Sequence, residues 1–320
     1  MRGLRLAVTL GDPAGIGPEV VAKALARPAV REAAELMVVG SRALLEPWLE
    51  RAGAPRVEVI EPVPVSATFA PGKVSAEAGR LAHRWVEFAA ELCLRGEADG
   101  MVTAPVNKAA FAAAGIRETG HQEVLQRVSR ADHVLTMLVS GALRCVHLST
   151  HKPLREACAY VTRENVLRAI RLTDREFRRW GFARPRVAVA GLNPHASDGG
   201  LIGREELDEI GPAVEAARSE GVEASGPWPA DSVFNRAIAG EFDAVLVMYH
   251  DQGHIAIKVH GFERSVSVNL GLPFVRTSVD HGTAFDIAGR GIANEESMVQ
   301  AILLGARLAA GSGLAGERDG

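Results

Sequence analysis

Residues 163–200 read RENVLRAIRLTDREFRRWGFARPRVAVAGLNPHASDGG, and three patterns follow one another in that stretch. Val166, Ile170, Thr173 and Phe177 recur at the spacing of one helical face, which predicts a helix over 163–179. Arg186–Ala190 is a short run rich in valine and alanine with turn residues on both sides, the pattern of a buried strand. A polar, glycine-rich loop carrying His195 comes directly after it. Helix, strand and polar loop in that order form one unit of an α/β repeat.

The rest of the chain repeats this unit. Further strands are expected at Leu4–Leu10, Leu36–Val39, Val57–Ile60, Gly100–Thr103, Val134–Val139, Leu143–Leu148, Ala244–Met248 and Val266–Asn269. A helix is expected over 75–96, where Leu81, Trp85, Phe88 and Leu92 share a face. Another is expected from about Glu295 to Ala310, where Met298, Ala301, Ile302, Gly305 and Ala309 line up. The alternation predicts an α/β fold with a largely parallel sheet and helices on both faces. There is no internal repeat and no linker rich in Pro, Gly or Ser, so crossing strands are expected to join the domains.

Composition bounds the class. The chain has 320 residues, enough for about two domains at ~100–200 residues each. Hydrophobic residues are 47% and charged ones 23%, an ordinary globular balance. Aromatics are only 5%, so the cores must rest on Ala, Val, Leu and Ile. A net charge of -3 without a long basic run argues against nucleic acid as partner. The arginines of 171–186 read as a solvated helix face more readily than as a basic patch. No apolar stretch reaches the ~18–20 residues that span a bilayer, and the N-terminus lacks a cleavage site for a signal peptide. Cys93, Cys145 and Cys158 are odd in number and lack CxxC spacing, which favours a reducing cytoplasm over a disulfide framework.

Ligands of open α/β sheets bind beyond the carboxyl ends of the strands. Three histidines stand there: His151 in HLSTHKPL, His195 in GLNPHASDGG and His250 in MYHDQGH. A single histidine in such a place is more often structural. Three at equivalent positions make an open site for a divalent cation such as zinc or cobalt. His254 competes as a ligand, one helical turn beyond His250. Asp198 and Asp251 are candidates to fix the imidazole tautomers. The first loop, GDPAGIGPE from Gly11 to Glu19, opens a helix with Pro18 in its first turn. It reads either as an anion cradle or as a tight strand-to-helix turn, and it is not GxGxxG, so a Rossmann fold is not expected. Lys258, Arg276 and His121 are polar residues in apolar or glycine-rich surroundings and suit a carboxylate or phosphate clamp.

Taken in order, GDPAGIGPEV, TAPVNK, TGHQEVL, THKPLR, GLNPHASDGG, MYHDQGH and GLPFVRTSVDHGTAFDIAG resemble the 4-hydroxythreonine-4-phosphate dehydrogenase family of vitamin B6 biosynthesis. These motifs span residue 11 to about 294. HGTAFDIAGRGIAN also resembles the adenosine-binding loop of isocitrate and isopropylmalate dehydrogenases. The resemblance implies a two-domain α/β/α fold of that superfamily. Residues 1–130 and 277–320 would form the first domain, 131–276 the second, and the active site would lie in the cleft between them.

It further implies an NAD-dependent (or NADP-dependent) oxidative decarboxylation of 4-phosphooxy-L-threonine to 3-amino-2-oxopropyl phosphate. The enzyme would be a homodimer with one divalent metal (Zn, Co or Mg) at each shared site. The family's metal ligands map onto His151, His195 and His250, the last supplied by the partner subunit. Substrate contacts map onto His121, Gln122, Lys258, Ser267 and Arg276, and cofactor contacts onto His281 and Asn294. Gln122 stands where the family has Thr, and Ser267 where it has Asn, with Asn269 two residues on. Relatives acting on D-threonate or D-erythronate 4-phosphate share nearly all these motifs. Lys258 and Asp231 are the candidates for the base that takes the hydroxyl proton. A metal-dependent hydrolase or aldolase is the alternative of another class, and a non-catalytic binding module the remaining one.

Overall fold

The computed structural model describes residues 3–65 and 68–311. The stretch at 163–200 folds as its pattern predicts. Thr162 caps the helix Arg163–Arg179 by accepting from the Asn165 N–H at 3.3 Å, and Val166, Ile170, Thr173 and Phe177 are buried on its inner face. Its arginines are paired outward: Arg171 with Glu220, Arg175 and Arg179 with Glu176, Arg178 with Asp174. The solvated-face reading of 171–186 therefore holds.

Eleven strands run through the described residues. They are β1 (Arg5–Thr9), β2 (Glu35–Val39), β3 (Glu58–Ile60), β4 (Gly100–Thr103), β5 (Leu135–Ser140), β6 (Leu143–His147), β7 (Val187–Ala190), β8 (Ala224–Trp228), β9 (Ala244–Val247), β10 (Val266–Leu270) and β11 (Val275–Val279). The chain divides into two compact units. The described residues up to Val134, with those from Leu272 onward, form the first, and Leu135–Gly271 form the second. The expected crossings lie near 130 and 277, and 312–320, the end of the expected first domain, lies outside the described residues.

In the first unit the strands order β3-β2-β1-β4-β11, and every pair is parallel. Side chains alternate across this sheet. Thr277 donates to the Ala301 carbonyl of the helix Glu296–Ala309, so Arg276 and Ser278 on either side of it point to the opposite face. The core on the Thr277 face joins Leu6, Val8 and Val102 to Ile302.

In the second unit the order is β10-β5-β6-β9-β7-β8. The largely parallel sheet expected from the sequence has two antiparallel exceptions here, β10 with β5 and β5 with β6. The cause is local: Ser140 and Leu143 pair across a tight turn in which Gly141 takes φ +52°, too short for a crossover helix. The remaining pairs, β6–β9, β9–β7 and β7–β8, are parallel. Small and branched residues such as Cys145, Ala188, Val245, Val247 and Ile257 fill this core, as the low aromatic content requires. No helix among the described residues is long and apolar enough to cross a membrane.

Candidate active site

Polar residues after the parallel strands of the second unit include all three expected histidines. His151 lies four residues past β6 and is exposed. His250 is the first residue of the helix His250–Gly261, which follows β9. The His151 and His250 ring centres are 6.1 Å apart. His195 sits beyond β7 in a turn where His195, Ala196, Ser197 and Asp198 all take positive φ, between 50° and 69°. Among the described residues no three His, Cys, Asp or Glu side chains gather into a ready metal cage. The structure thus brings His151 and His250 together and does not complete a three-ligand set within one chain.

Hydrogen bonds fix the tautomers around His250. The Thr136 carbonyl accepts from His147 Nδ1 at 3.2 Å, and burial pushes the His147 imidazole down to about 3, so it is neutral and its Nε2 is an acceptor. His254 Nδ1 lies 3.0 Å from that Nε2 and 3.0 Å from the His250 carbonyl, so Nδ1 must be its donor. The His254 ring stacks on His250 with centres 3.5 Å apart and planes 11° apart, which confirms that the two share a helical face. Asp251 Oδ1 accepts from His250 Nδ1 at 2.6 Å, which presents His250 Nε2 with its lone pair outward. Asp198 stays exposed in the left-handed turn.

These residues fit a divalent cation. A neutral imidazole that turns its Nε2 lone pair outward, as His250 does, is a donor that a zinc-like ion takes. The carboxylate behind His250 is the usual partner of a ligating imidazole.

A second polar group lies in the first unit, where the carboxyl end of β4 meets β11. Arg276 is 4% exposed and donates through Nη2 to Thr103 Oγ1 at 2.7 Å. Thr103 in turn donates to Ser278 Oγ at 2.9 Å, and Ser278 donates to the Thr103 carbonyl at 3.0 Å. With its proton so committed, the Thr103 hydroxyl turns a lone pair to Arg276. Burial lowers the guanidinium to about 9, still charged at neutral pH. His121 begins the helix His121–Ser129. Burial and the Arg276 charge hold its imidazole well below its usual range, while a hydrogen bond to the Ala104 backbone opposes them. Its Nε2 is buried with no hydrogen-bond partner, so the bond to Ala104 runs through Nδ1 and leaves Nε2 an acceptor. A buried cation beside a buried acceptor is the chemistry of a pocket for an anion that also carries a donor.

The glycine-rich loop resolves as a tight turn. Gly11 takes φ +69°, and a Cβ there would stand 2.4 Å from the Pro105 carbonyl oxygen. The N–H groups of Asp12, Ala14, Gly15 and Ile16 are all spent inside the protein, on Pro105 O, Asp12 Oδ1, Asp12 O and Thr283 O.

The other expected residues are placed as follows. Gln122 donates to the Val134 carbonyl at 3.2 Å, tying its helix to the chain beyond it. Ser267 is half-buried on β10, paired with Leu138. Lys258 holds Nζ 4.7 Å over the Phe262 ring. Asp231 is exposed in the turn before the helix Val233–Ile238. His281 Nδ1 lies 2.9 Å from the Gly282 carbonyl, and Asn294 accepts from the Glu296 N–H at 2.8 Å. Thr103 and Ser278 went unremarked in the sequence; the TAPVNK and VRTSV motifs were its only signal.

Comparison with known proteins gives the family. A 4-hydroxythreonine-4-phosphate dehydrogenase of Beijerinckia indica is 45% identical, covering 95% of this chain and 94% of that protein. A D-threonate 4-phosphate dehydrogenase of Salmonella typhimurium is 43% identical, covering 95% and 98%. The crystal structure of 4-hydroxythreonine-4-phosphate dehydrogenase from Klebsiella pneumoniae superposes with a TM-score of 0.88 at 41% identity, covering 96% of this chain and 98% of that one. The family model described as pyridoxal phosphate biosynthetic protein PdxA matches residues 20–305, and the chain belongs to that family.

Proposed function

We propose that the protein is a metal-dependent dehydrogenase of a phosphorylated, threonine-like four-carbon acid, using NAD or NADP, with 4-phosphooxy-L-threonine as substrate. Oxidation of its secondary alcohol would pass a hydride to the nicotinamide. Loss of CO2 from the resulting β-keto acid would leave 3-amino-2-oxopropyl phosphate for pyridoxal phosphate synthesis. The observation that carries the reading is the buried Arg276 guanidinium with Thr103 and His121 beside it, a setting suited to a phosphate. The relatives' names support the substrate class.

In this reading His151, His195 and His250 hold the metal, with Asp251 orienting His250. A divalent cation there would supply Lewis acidity for the alcohol oxygen and for the carbonyl that replaces it. Arg276 grips the phosphate, and His121 Nε2 accepts from a substrate donor. Gln122 and Ser267 contribute hydrogen bonds, and Lys258 or Asp231 takes the hydroxyl proton. His281 and Asn294 face the cofactor. A homodimer is supported by the apolar stripe Ile255, Val259 and Phe262, exposed along the helix that His250 begins. A cytoplasmic setting follows from the cysteine usage. D-Threonate or D-erythronate 4-phosphate is the second reading, favoured by the Salmonella relative's name and by the engagement of the Gln122 amide with Val134.

NADH absorbance tests the proposal, with 4-phosphooxy-L-threonine and D-threonate 4-phosphate run in parallel. Turnover of the first, lost with chelator and restored by a divalent metal, is expected. Turnover of threonate phosphate alone transfers the protein to the second reading, and absence of NADH with both favours the hydrolase class. Arg276→Ala should raise KM at least tenfold, since a clamp acts through binding, and an unchanged KM removes Arg276 from the site.

A further inference from the structure

Three hydroxyl residues stand in one row across the sheet of the first unit. Thr9 of β1 is in register with Thr103 of β4, and Thr103 with Ser278 of β11. Residues in register on neighbouring strands share a face, so the row lies on the face that Arg276 also takes. All four residues are buried.

The order of protons in the row is forced. A carbonyl can only accept, so Ser278 Oγ gives its one proton to the Thr103 carbonyl at 3.0 Å. Ser278 Oγ must then accept the proton of Thr103 Oγ1, 2.9 Å away. Thr103 Oγ1 has only lone pairs left, and it turns one to Arg276 Nη2 at 2.7 Å. Thr103 and Ser278 thus close a hydrogen-bonded ring between β4 and β11, and the guanidinium is bonded to that ring. Thr103 is also β-branched, which stiffens χ1 and fixes the direction of the lone pair. Thr9 is the internal contrast. It is the same residue type in the same row, yet its Oγ1 is buried with no hydrogen-bond partner among the described residues.

We propose that Thr103, set by Ser278, is the positioning residue of Arg276, holding the guanidinium in one orientation before a phosphate arrives. This rests on the phosphate reading given above. An arginine side chain has many rotamers, and ordering it on binding costs affinity. A guanidinium bonded in place has lost that freedom before the ligand comes.

Calorimetric titration of the full-length protein with inorganic phosphate, with thermal unfolding of each variant alongside, tests this. Thr103→Val keeps the shape without the hydroxyl and should weaken phosphate binding ~10–100-fold, the range of a hydrogen bond to a charged group. Thr103→Ser restores the hydroxyl and should recover most of that loss. Ser278→Ala leaves Arg276 and Thr103 in place but frees the Thr103 proton. It should weaken binding several-fold, and it reads the role should Thr103→Val fail to fold. Thr9→Val removes a hydroxyl of the same row and should bind phosphate as the wild type does. A purely structural role would lower the unfolding temperature of Thr103→Val and Ser278→Ala and leave their affinities at the wild-type value, which overturns the proposal. Equal losses in Thr9→Val and Thr103→Val overturn it as well. Arg276→Ala separates the two readings. Phosphate binding lost there and kept in Thr103→Val and Ser278→Ala refutes the positioning role alone. Wild-type affinity in Arg276→Ala refutes the phosphate reading and this inference with it.

Discussion

Single buried charges show how much the fold spends on its polar pocket. Asp12 is fully buried; its Oδ1 caps the Ala14 N–H at 2.8 Å, its Oδ2 has no hydrogen-bond partner, and burial raises its carboxyl from 3.8 to about 6. A carboxyl raised in this way binds protons more tightly in the folded chain than in the unfolded one. The Asp12 contribution to stability is therefore most favourable below pH ~4, falls as pH rises through the window from 3.8 to about 6, and stays reduced above it. At 1.36 kcal/mol per pH unit the loss is about 2–3 kcal/mol. Asp12→Asn keeps the acceptor for Ala14 and cannot ionise. Urea unfolding at pH 4, 5, 6 and 7.5 should show the variant gaining on the wild type by about that amount across the series. Parallel curves would mean that Asp12 is solvated and ordinary.

Elements were legible where their pattern was periodic and their partners near. The helix Arg163–Arg179 and strand β7 announced themselves through one apolar face and one valine run. Strands β8 and β11 did not. Ala224–Trp228 contains Gly226 and Pro227, and Val275–Val279 places Arg276 and Ser278 on a buried sheet face, where sequence patterning expects apolar residues. Site residues divide in the same way. Histidines after strands were visible because position alone marks them. Thr103 was invisible because its partners, Arg276 and Ser278, lie elsewhere in the chain. Glu19 is a further case. Its Oε1 accepts from the Ala293 N–H at 2.7 Å and from Lys23 Nζ at 2.8 Å, and Lys23 also donates to the Ala293 and Gly291 carbonyls. The helix Gly17–Ala26 thus pins the segment that leads to Asn294. Glu19→Ala should speed amide hydrogen exchange around 290–294 at least tenfold and, on the proposed function, raise KM for the nicotinamide cofactor with the substrate KM unchanged. Unaltered exchange there would show that the segment holds itself.

At the scale of the whole molecule, the decisive feature is what the second unit leaves uncovered. Ile255 and Val259 on the helix His250–Gly261 and Phe262 just after it recur at i, i+4 and i+7, and Val259 is 84% exposed and Phe262 67%. On a surface helix that stripe would normally face a core. Leu201, Leu207 and Leu154 are exposed in the same unit. Large apolar side chains repeated at helical spacing on a solvent face suit the proposed homodimer, in which a second copy would cover them by symmetry. The consequence reaches the chemistry, because the same helix opens with His250 and carries His254 and Lys258. Replacing Val259 and Phe262 together by Asp places two charges on that apolar face and should leave the protein monomeric in sedimentation velocity, where the proposed function expects a dimer of the wild type. Because both residues point to solvent in the single chain, the fold should keep its unfolding transition. Metal affinity and turnover should fall together with the dimer if the imidazole set is shared between copies. A monomeric variant with wild-type turnover would instead place the complete site within one chain and assign the stripe to assembly alone.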